Sequence, residues 1–441
     1  MNINDDTFAN IIEKSKCSGK QSNKLEYVSL LRDIFDQKLF PNDFDNWTVQ
    51  EQYIWINMNI VKFFQNVPQS LINFVPAAFH EINLDRSSME KPKWLDVQKY
   101  RRGQKFVDDH YGSVIFAKIL GVMHMYSFNP TLKAIILSER SHTPYLQFQR
   151  HLATIKRIFS WYNGEPWIEG TPAYTDLQYT NKMHLMMRRK LRELTNEQID
   201  NEANFVDPWC PDRELLLKDF ADACPFEKIG QRPHIMIEKS PYNPKGINNA
   251  DFAGAQCSFM SMVVFCPQHI GLHDATNEDL EAFCHMWRCY GYYLGLEDKY
   301  NFCRGSLEEI KQRIKDLYDY WVIPNFKDHS PEWEHMTRCL VEPMNYFPFV
   351  YIPYKAMILI ATDILNLNMP NLYGSLNYTE WIAYKSWTFL LRKALKFSII
   401  RYIFNKMVRK IINTAMNFSP EQLTKLQEKS DKQLKQRYKS S

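Results

Sequence analysis

A chain of 441 residues offers enough length for about three domains or for one large helical unit. With 45% hydrophobic residues, 24% charged and 28 Phe, 24 Tyr and 11 Trp, the composition excludes a disordered chain and provides for a sizeable core. The formal net charge of +4 is unevenly divided. From Lys385 to Ser441 there are 14 basic and 3 acidic residues, which leaves 40 basic and 47 acidic before them, so an acidic body carries a basic tail.

Glycine is scarce at 14 residues, and the Asn163-Gly164 pair lacks alternating runs on both sides, so the pattern favours helices over hairpins. The nine cysteines are scattered, with no Cys-x-x-Cys pair, which argues against a disulfide framework, a zinc ribbon or a c-type haem attachment. The first residues, "MNINDDTFAN", have neither a basic nor an apolar leader region. Reduced thiols and a cytoplasmic protein are expected, and no nucleic-acid partner is expected. The longest apolar stretch, Phe347 to Leu365, is broken by Pro348, Pro353, Lys355 and Asp363, so no membrane span is expected.

Residues 1–60 read as a polar N-terminal extension with short helical patterns. A long helix is expected from Gly103 through "GQKFVDDHYGSVIFAKILGVMHMYSF". His110, Ala117, Gly121 and His124 would lie on one face of it, a small-residue stripe against which something bulky can lie. Helical stretches at 130–140 and 143–161 lead to the Gly/Pro loop "WYNGEPWIEGTP". The next helix carries "TNKMHLMMRRKL", where Asn181, His184 and Arg188 share a face among Met183, Met186 and Met187. Residues 195–250 contain long irregular pieces. Helical patterning resumes at Phe252, then again after Thr276 as N-cap and at the capping-box sequence Ser306 to Glu309. These elements suggest an extension at 1–60, a catalytic-type domain at 61–345 and a C-terminal helical extension at 346–441.

Several residue groups are candidates for chemistry. His184 is a lone imidazole on an apolar helix face, where a satisfied core histidine competes with a metal ligand; Arg188, one turn on, suits a carboxylate such as a haem propionate. Arg150 and Thr154, four apart, could position a polar ligand in an apolar pocket, or could be a surface arginine and a threonine bonded back to its own helix. His110, His124, His269 and His273 are the alternatives for a metal-dependent hydrolase or non-haem oxygenase, although Gly271 lies between the last two and makes a loop there. Glu139 with His142 and Glu332 with His335 match the Glu-x-x-His spacing of di-iron bundles but stand beside prolines.

The segments "RGQKFVDDHYG", "RSHTPYLQFQRHLAT", "KMHLMMR" and "FCHMWRCYGYYLGLEDKYN", in this order between Arg101 and Asn301, resemble the rubber oxygenase (latex-clearing protein) catalytic-domain family. That family also includes the endoplasmic-reticulum-bound oxygenase of mycophenolic acid biosynthesis. The resemblance implies an all-α, globin-like multi-helix bundle around a pocket for one non-covalent haem b. It implies His184 as the iron ligand, in a pattern where Asn181 replaces a first histidine and Arg188 is kept. Arg150 and Thr154 take the opposite side of the haem as catalytic-pocket residues, and Ala153 stands where some members have lysine. No position matches the family's proposed catalytic glutamate; Glu139 is near it in sequence.

The function expected from the resemblance is a haem b-dependent oxygenase that uses O₂ to oxidise or cleave a C=C bond of a long apolar, isoprenoid or lipid-like substrate. The alternative is a non-catalytic haem- or lipid-binding protein of the same fold. "KSWTFLLRKALKFSIIRYIFNKMVRK", Lys385 to Lys410, has eight basic residues, no acidic one and many large apolar ones. It suits either a core-packed helix or peripheral seating on the cytosolic face of the endoplasmic reticulum, without a span.

Overall fold

The computed structural model describes residues 19–87, 89–240 and 242–436. Among them the protein is all-helical; the one extended pairing is an isolated bridge between Glu81 and Asn248. The helices of eight or more residues are α1 Gly19–Ile34, α2 Val49–Met58, α3 Val97–Asp109, α4 Tyr111–Met125, α5 Asn129–Leu137, α6 Pro144–Tyr162, α7 Pro172–Glu193, α8 Asn196–Ala203 and α9 Arg213–Ala223. They continue with α10 Asn249–Phe265, α11 Asn277–Tyr293, α12 Leu307–Leu317, α13 Pro331–Val341, α14 Tyr354–Asp363, α15 Tyr378–Arg392, α16 Ser398–Met416 and α17 Pro420–Gln436. Residues 1–18, part of the expected extension, lie outside the described residues.

Local chemistry explains many helix starts. Ser306 with Glu309 forms the expected capping box of α12; Thr276, expected as the N-cap of α11, forms a full box with Asp279, and Asn248 with Asp251 does the same for α10. Thr143 and Thr171 cap α6 and α7, each followed by proline at a position where its missing N–H costs no bond. Gly271 adopts φ +87°, a left-handed conformation that ends the short 3₁₀ turn Pro267–Ile270, so His269 and His273 sit in a loop as expected.

Two expectations are corrected. The helix read as continuous from Gly103 breaks at His110, whose φ and ψ are −128° and 27°. Asn405 of α16 splints the break: its Oδ1 accepts from the Gly112 N–H at 2.9 Å and its Nδ2 donates to the Asp109 carbonyl at 2.6 Å. The stretch 195–250 is also less irregular than expected, since α8, α9 and the short helix Pro233–Glu238 occupy much of it. Hydrophobic spacing in such short helices is too brief to register as a period.

One continuous hydrophobic core runs from Tyr27 to Phe404 and crosses both boundaries read from the sequence. Its centre is the crossing of α4 on α10. A Cβ at Gly121 would overlap the Ser258 carbonyl oxygen, so the small-residue stripe there admits a neighbouring backbone, not a bulky group. A second, smaller cluster joins Tyr111, Phe148, Tyr346, Phe347 and Ile412. No helix among the described residues is long and apolar enough to cross a membrane.

Candidate functional site

α6 and α7 bring the predicted site residues to one part of the interior. His184 packs edge-to-face on Phe252 of α10, ring centres 4.8 Å apart and planes at 89°. Its Nδ1 is buried without a hydrogen-bond partner. Burial, with Arg150 and Arg188 adding to it, pushes the imidazole down to about 4, so at neutral pH the ring is uncharged, with a proton on one nitrogen and a lone pair on the other. His184 and Arg150 are each half-buried.

The other predicted residues are more occupied. Arg150 donates to Ser141 Oγ at 2.6 Å and to Ser138 Oγ at 3.4 Å, and no carboxylate neutralises it. Thr154 donates to the Arg150 carbonyl at 2.8 Å, the bond back to its own helix that the sequence left open. Arg188 is held by Glu81 at 3.5 Å and by the carbonyls of Ile82 and Ile247 at 3.1 and 3.3 Å. Asn181 Nδ2 donates to the Tyr293 carbonyl at 3.0 Å while its Oδ1 has no partner. Of the three methionines, Met186 turns outward at 53% exposure and Met187 packs on the core.

Two site residues escaped sequence reasoning. Lys118 is 6% exposed in the middle of α4, and its ammonium has no hydrogen-bond partner; the Phe259 ring centre lies 5.4 Å away. Burial, with Arg150 adding to it, brings its pKa down to about 7. His151 of α6 is equally buried; its Nδ1 lies 3.3 Å from Gln147 Nε2 and its Nε2 has no partner. A single lysine inside "YGSVIFAKILG", apolar on every side, was the available signal.

Beyond His184 along the same face of α7, Leu191 lines an apolar cavity of about 170 Å³. Met125, Ala134, Asp251, Gly254 and Leu317 complete much of its wall. The Asp251 carboxyl there is raised by burial to about 6, against the backbone N–H bonds of Asn248 and Ile247 that favour its anion.

The remaining histidines do not assemble. His124 uses both ring nitrogens, on Tyr318 Oη at 3.1 Å and the Ala361 carbonyl at 3.2 Å. His110 Nε2 faces Asp274 at 3.7 Å, and His273 Nε2 meets the Leu391 carbonyl at 2.9 Å. No group of three or more His, Cys, Asp or Glu that could hold a metal ion occurs among the described residues. The exposed Glu139 is tied to Lys190 at 2.9 Å.

No family model matches the chain, and no curated protein matches it. Among solved structures the chain is similar to latex clearing protein LCP in the closed state, at 14% identity over 80% of this chain and 87% of that one, with a TM-score of 0.47.

The buried imidazoles make stability acid-sensitive. Burial holds His80, His124, His234 and His329 at about 4 and His151 at about 3, against 6.5 in the unfolded chain. Between these values the unfolded chain binds more protons. Their contribution is therefore complete above pH 6.5 and is lost as the pH falls toward 4. Asp251 acts in the opposite sense: its raised carboxyl favours the folded state at low pH and loses that contribution as the pH rises through about 6. Burial raises Glu26, Glu334 and Glu342 in the same sense as Asp251, but the five imidazoles lie furthest from their unfolded value, so the urea midpoint should fall steadily from pH 7 to pH 5. An unchanged midpoint over that interval would contradict the neutral, buried histidines.

Proposed function

We propose that the protein is a haem b-dependent oxygenase that oxidises or cleaves a C=C bond of a long apolar, isoprenoid or lipid-like substrate with O₂. The observation that carries this reading is His184: a neutral, half-buried imidazole whose Nδ1 has no hydrogen-bond partner, on the α7 face that also carries Asn181 and Arg188. It is the donor type a non-covalent haem needs from its protein, and the family resemblance of the sequence selects the same residue. His184 would ligate the iron, with Asn181 and Arg188 on the same face of α7 fixing the helix that presents it. Bound there, the haem would supply the activation of dioxygen.

The chain's own residues provide the rest. Arg150, with no carboxylate against it, offers a cation and N–H donors to a polar group in the pocket, and Thr154 shapes the adjoining wall. The mainly apolar cavity beside Leu191 and Gly254 would take the hydrocarbon part of such a substrate.

A pyridine haemochrome assay on the purified protein, with O₂ consumption on unsaturated isoprenoid lipids, tests the reading. Arg150→Ala and Thr154→Ala should lower turnover about 10- to 100-fold while haem content stays near wild type, because misplacing reacting groups costs rate more than it costs binding. Full turnover in both variants would make this face structural. The second reading, a haem or lipid carrier without turnover, is favoured by one observation: no carboxylate acts on His184 or Arg150, so no general base stands beside them. Haem content without O₂ consumption would decide for it.

We further propose that α15 and α16 seat the protein on an anionic membrane surface. α16 buries Phe404, Asn405, Ile411, Ile412 and Ala415, yet leaves Ile399, Ile403 and Met407 outward at successive i, i+4 positions, 64%, 57% and 46% exposed. Phe389 and Phe397 are each 63% exposed. Arg401 and Arg409 turn inward to Asp274 and Asp108, whereas Lys393, Lys396, Lys406 and Lys410 remain exposed around the apolar stripe. Each such cation near an anionic surface contributes about 1 kcal/mol. Flotation with phosphatidylserine vesicles should recover the wild-type chain. The triple variant Phe397→Ser, Ile399→Ser, Ile403→Ser should stay behind, and equal flotation of the two would remove this surface from membrane contact.

A further inference from the structure

Three basic groups share the interior between α4, α6 and α7 with His184. Lys118 and Arg150 both lower the proton affinity of His151, and Arg150 lowers that of Lys118 and of His184, so these groups lie within electrostatic reach of one another. No carboxylate acts on any of them. Elsewhere the protein neutralises its buried cations. Arg338 is enclosed by Asp212 and Glu334, and Arg232 by Glu227 and Asp328. A buried ammonium without hydrogen bonds costs several kcal/mol. Lys118 Nζ and His151 Nε2 both lack a hydrogen-bond partner, and Arg150 has only hydroxyls against it, so the cluster offers one standing cation and two unfilled polar atoms with no anion beside them.

We propose that Lys118, Arg150 and His151 form a receptor for one carboxylate of an otherwise apolar ligand. Aromatic side chains around it set the character of the remainder: Phe259 lies over Lys118 and stacks on Trp287 with ring centres 5.2 Å apart, and Phe252 covers His184. A carboxylate that meets Lys118 therefore has an aromatic wall beside it, which suits an apolar remainder. The inference deepens the proposed function by assigning a head group to the pocket's ligand. That carboxylate belongs either to an unsaturated lipid acid or to a haem side chain.

The experiment measures binding of oleic acid and of its methyl ester to the purified full-length chain, wild type against Lys118→Met and Lys118→Arg. It also measures uptake of haem and of haem dimethyl ester by the same three proteins. If the lipid acid is the source, wild type binds oleate about tenfold or more tightly than the ester, the amount a charge-assisted hydrogen bond provides. Lys118→Met then loses the preference and Lys118→Arg keeps it. If the haem side chain is the source, Lys118→Met weakens uptake of haem but not of its dimethyl ester, and oleate shows no preference.

Lys118→Met should also raise the denaturation midpoint of the ligand-free chain, because an unpaired buried charge is removed; a lysine with a purely structural role would give a lower midpoint. Equal binding of acid and ester in all three proteins, for both pairs, overturns the proposal. The oleate arm needs no iron, so its failure with haem still retained through His184 leaves the oxygenase reading standing. Its success in a protein that takes up no haem removes that reading alone.

Discussion

Replacing His184 with alanine is expected to abolish the Soret band of the haem-loaded protein while leaving its far-ultraviolet helical signal intact. α7 is held by its Thr171 cap, by buried Leu177 and Leu191, and by the Arg188 bonds to Glu81, Ile82 and Ile247, none of which passes through the imidazole. Alanine is a better helix former than histidine, so the helix itself loses nothing. Removing the one protein ligand of a non-covalent haem should weaken its retention more than the roughly 10- to 100-fold typical of losing a residue that merely orients a metal ligand. A Soret band of wild-type intensity after gel filtration would show that another side chain holds the iron.

The second large effect concerns stability. Gly121→Ala places a methyl group on the Ser258 carbonyl where α4 crosses α10, and both colliding parts are helix backbone, which cannot rotate away as a side chain would. The helices must separate, so a loss of about 3 kcal/mol is expected, the upper end for overpacking a core. It would be read as a lower urea midpoint at unchanged slope. Gly254→Ala on the same α10 is the contrast. Nothing lies within 4 Å of its added Cβ, and exchanging a mid-helix glycine for alanine should contribute about 0.5–1 kcal/mol. Equal midpoints for the two variants would refute the close crossing.

Much of the fold was legible because its signals are local. Thr276 announces its helix as an N-cap and Ser306 by a capping box, Gly and Pro mark the loop after α6, and the ranges of α5 and α6 follow the apolar spacing to within three residues. The break at His110 was not legible, because the groups that satisfy it, Asn405 Oδ1 and Nδ2, come from a helix almost 300 residues away. Gly121 was misread for a related reason: a small residue records that something approaches, not whether it is a cofactor or another helix. At the site, the shared face of Asn181, His184 and Arg188 follows from helix periodicity. Lys118 was missed because a lysine in an apolar helix is ordinarily expected to reach its charged end out to water, and only tertiary structure shows that this one does not.

The thiols carry a consequence of their own. The eight cysteines among the described residues form no disulfide with one another, and all but Cys210 are buried. Burial pushes Cys224 and Cys266 up to about 12 and Cys257, Cys289 and Cys303 higher still. Oxidants and alkylating agents attack the thiolate, which these residues scarcely form at neutral pH while folded. The core is therefore chemically quiet in a chain proposed to handle O₂. It stays so only while it is packed, and unfolding would newly expose the seven buried sulfurs at once, making loss of structure hard to reverse.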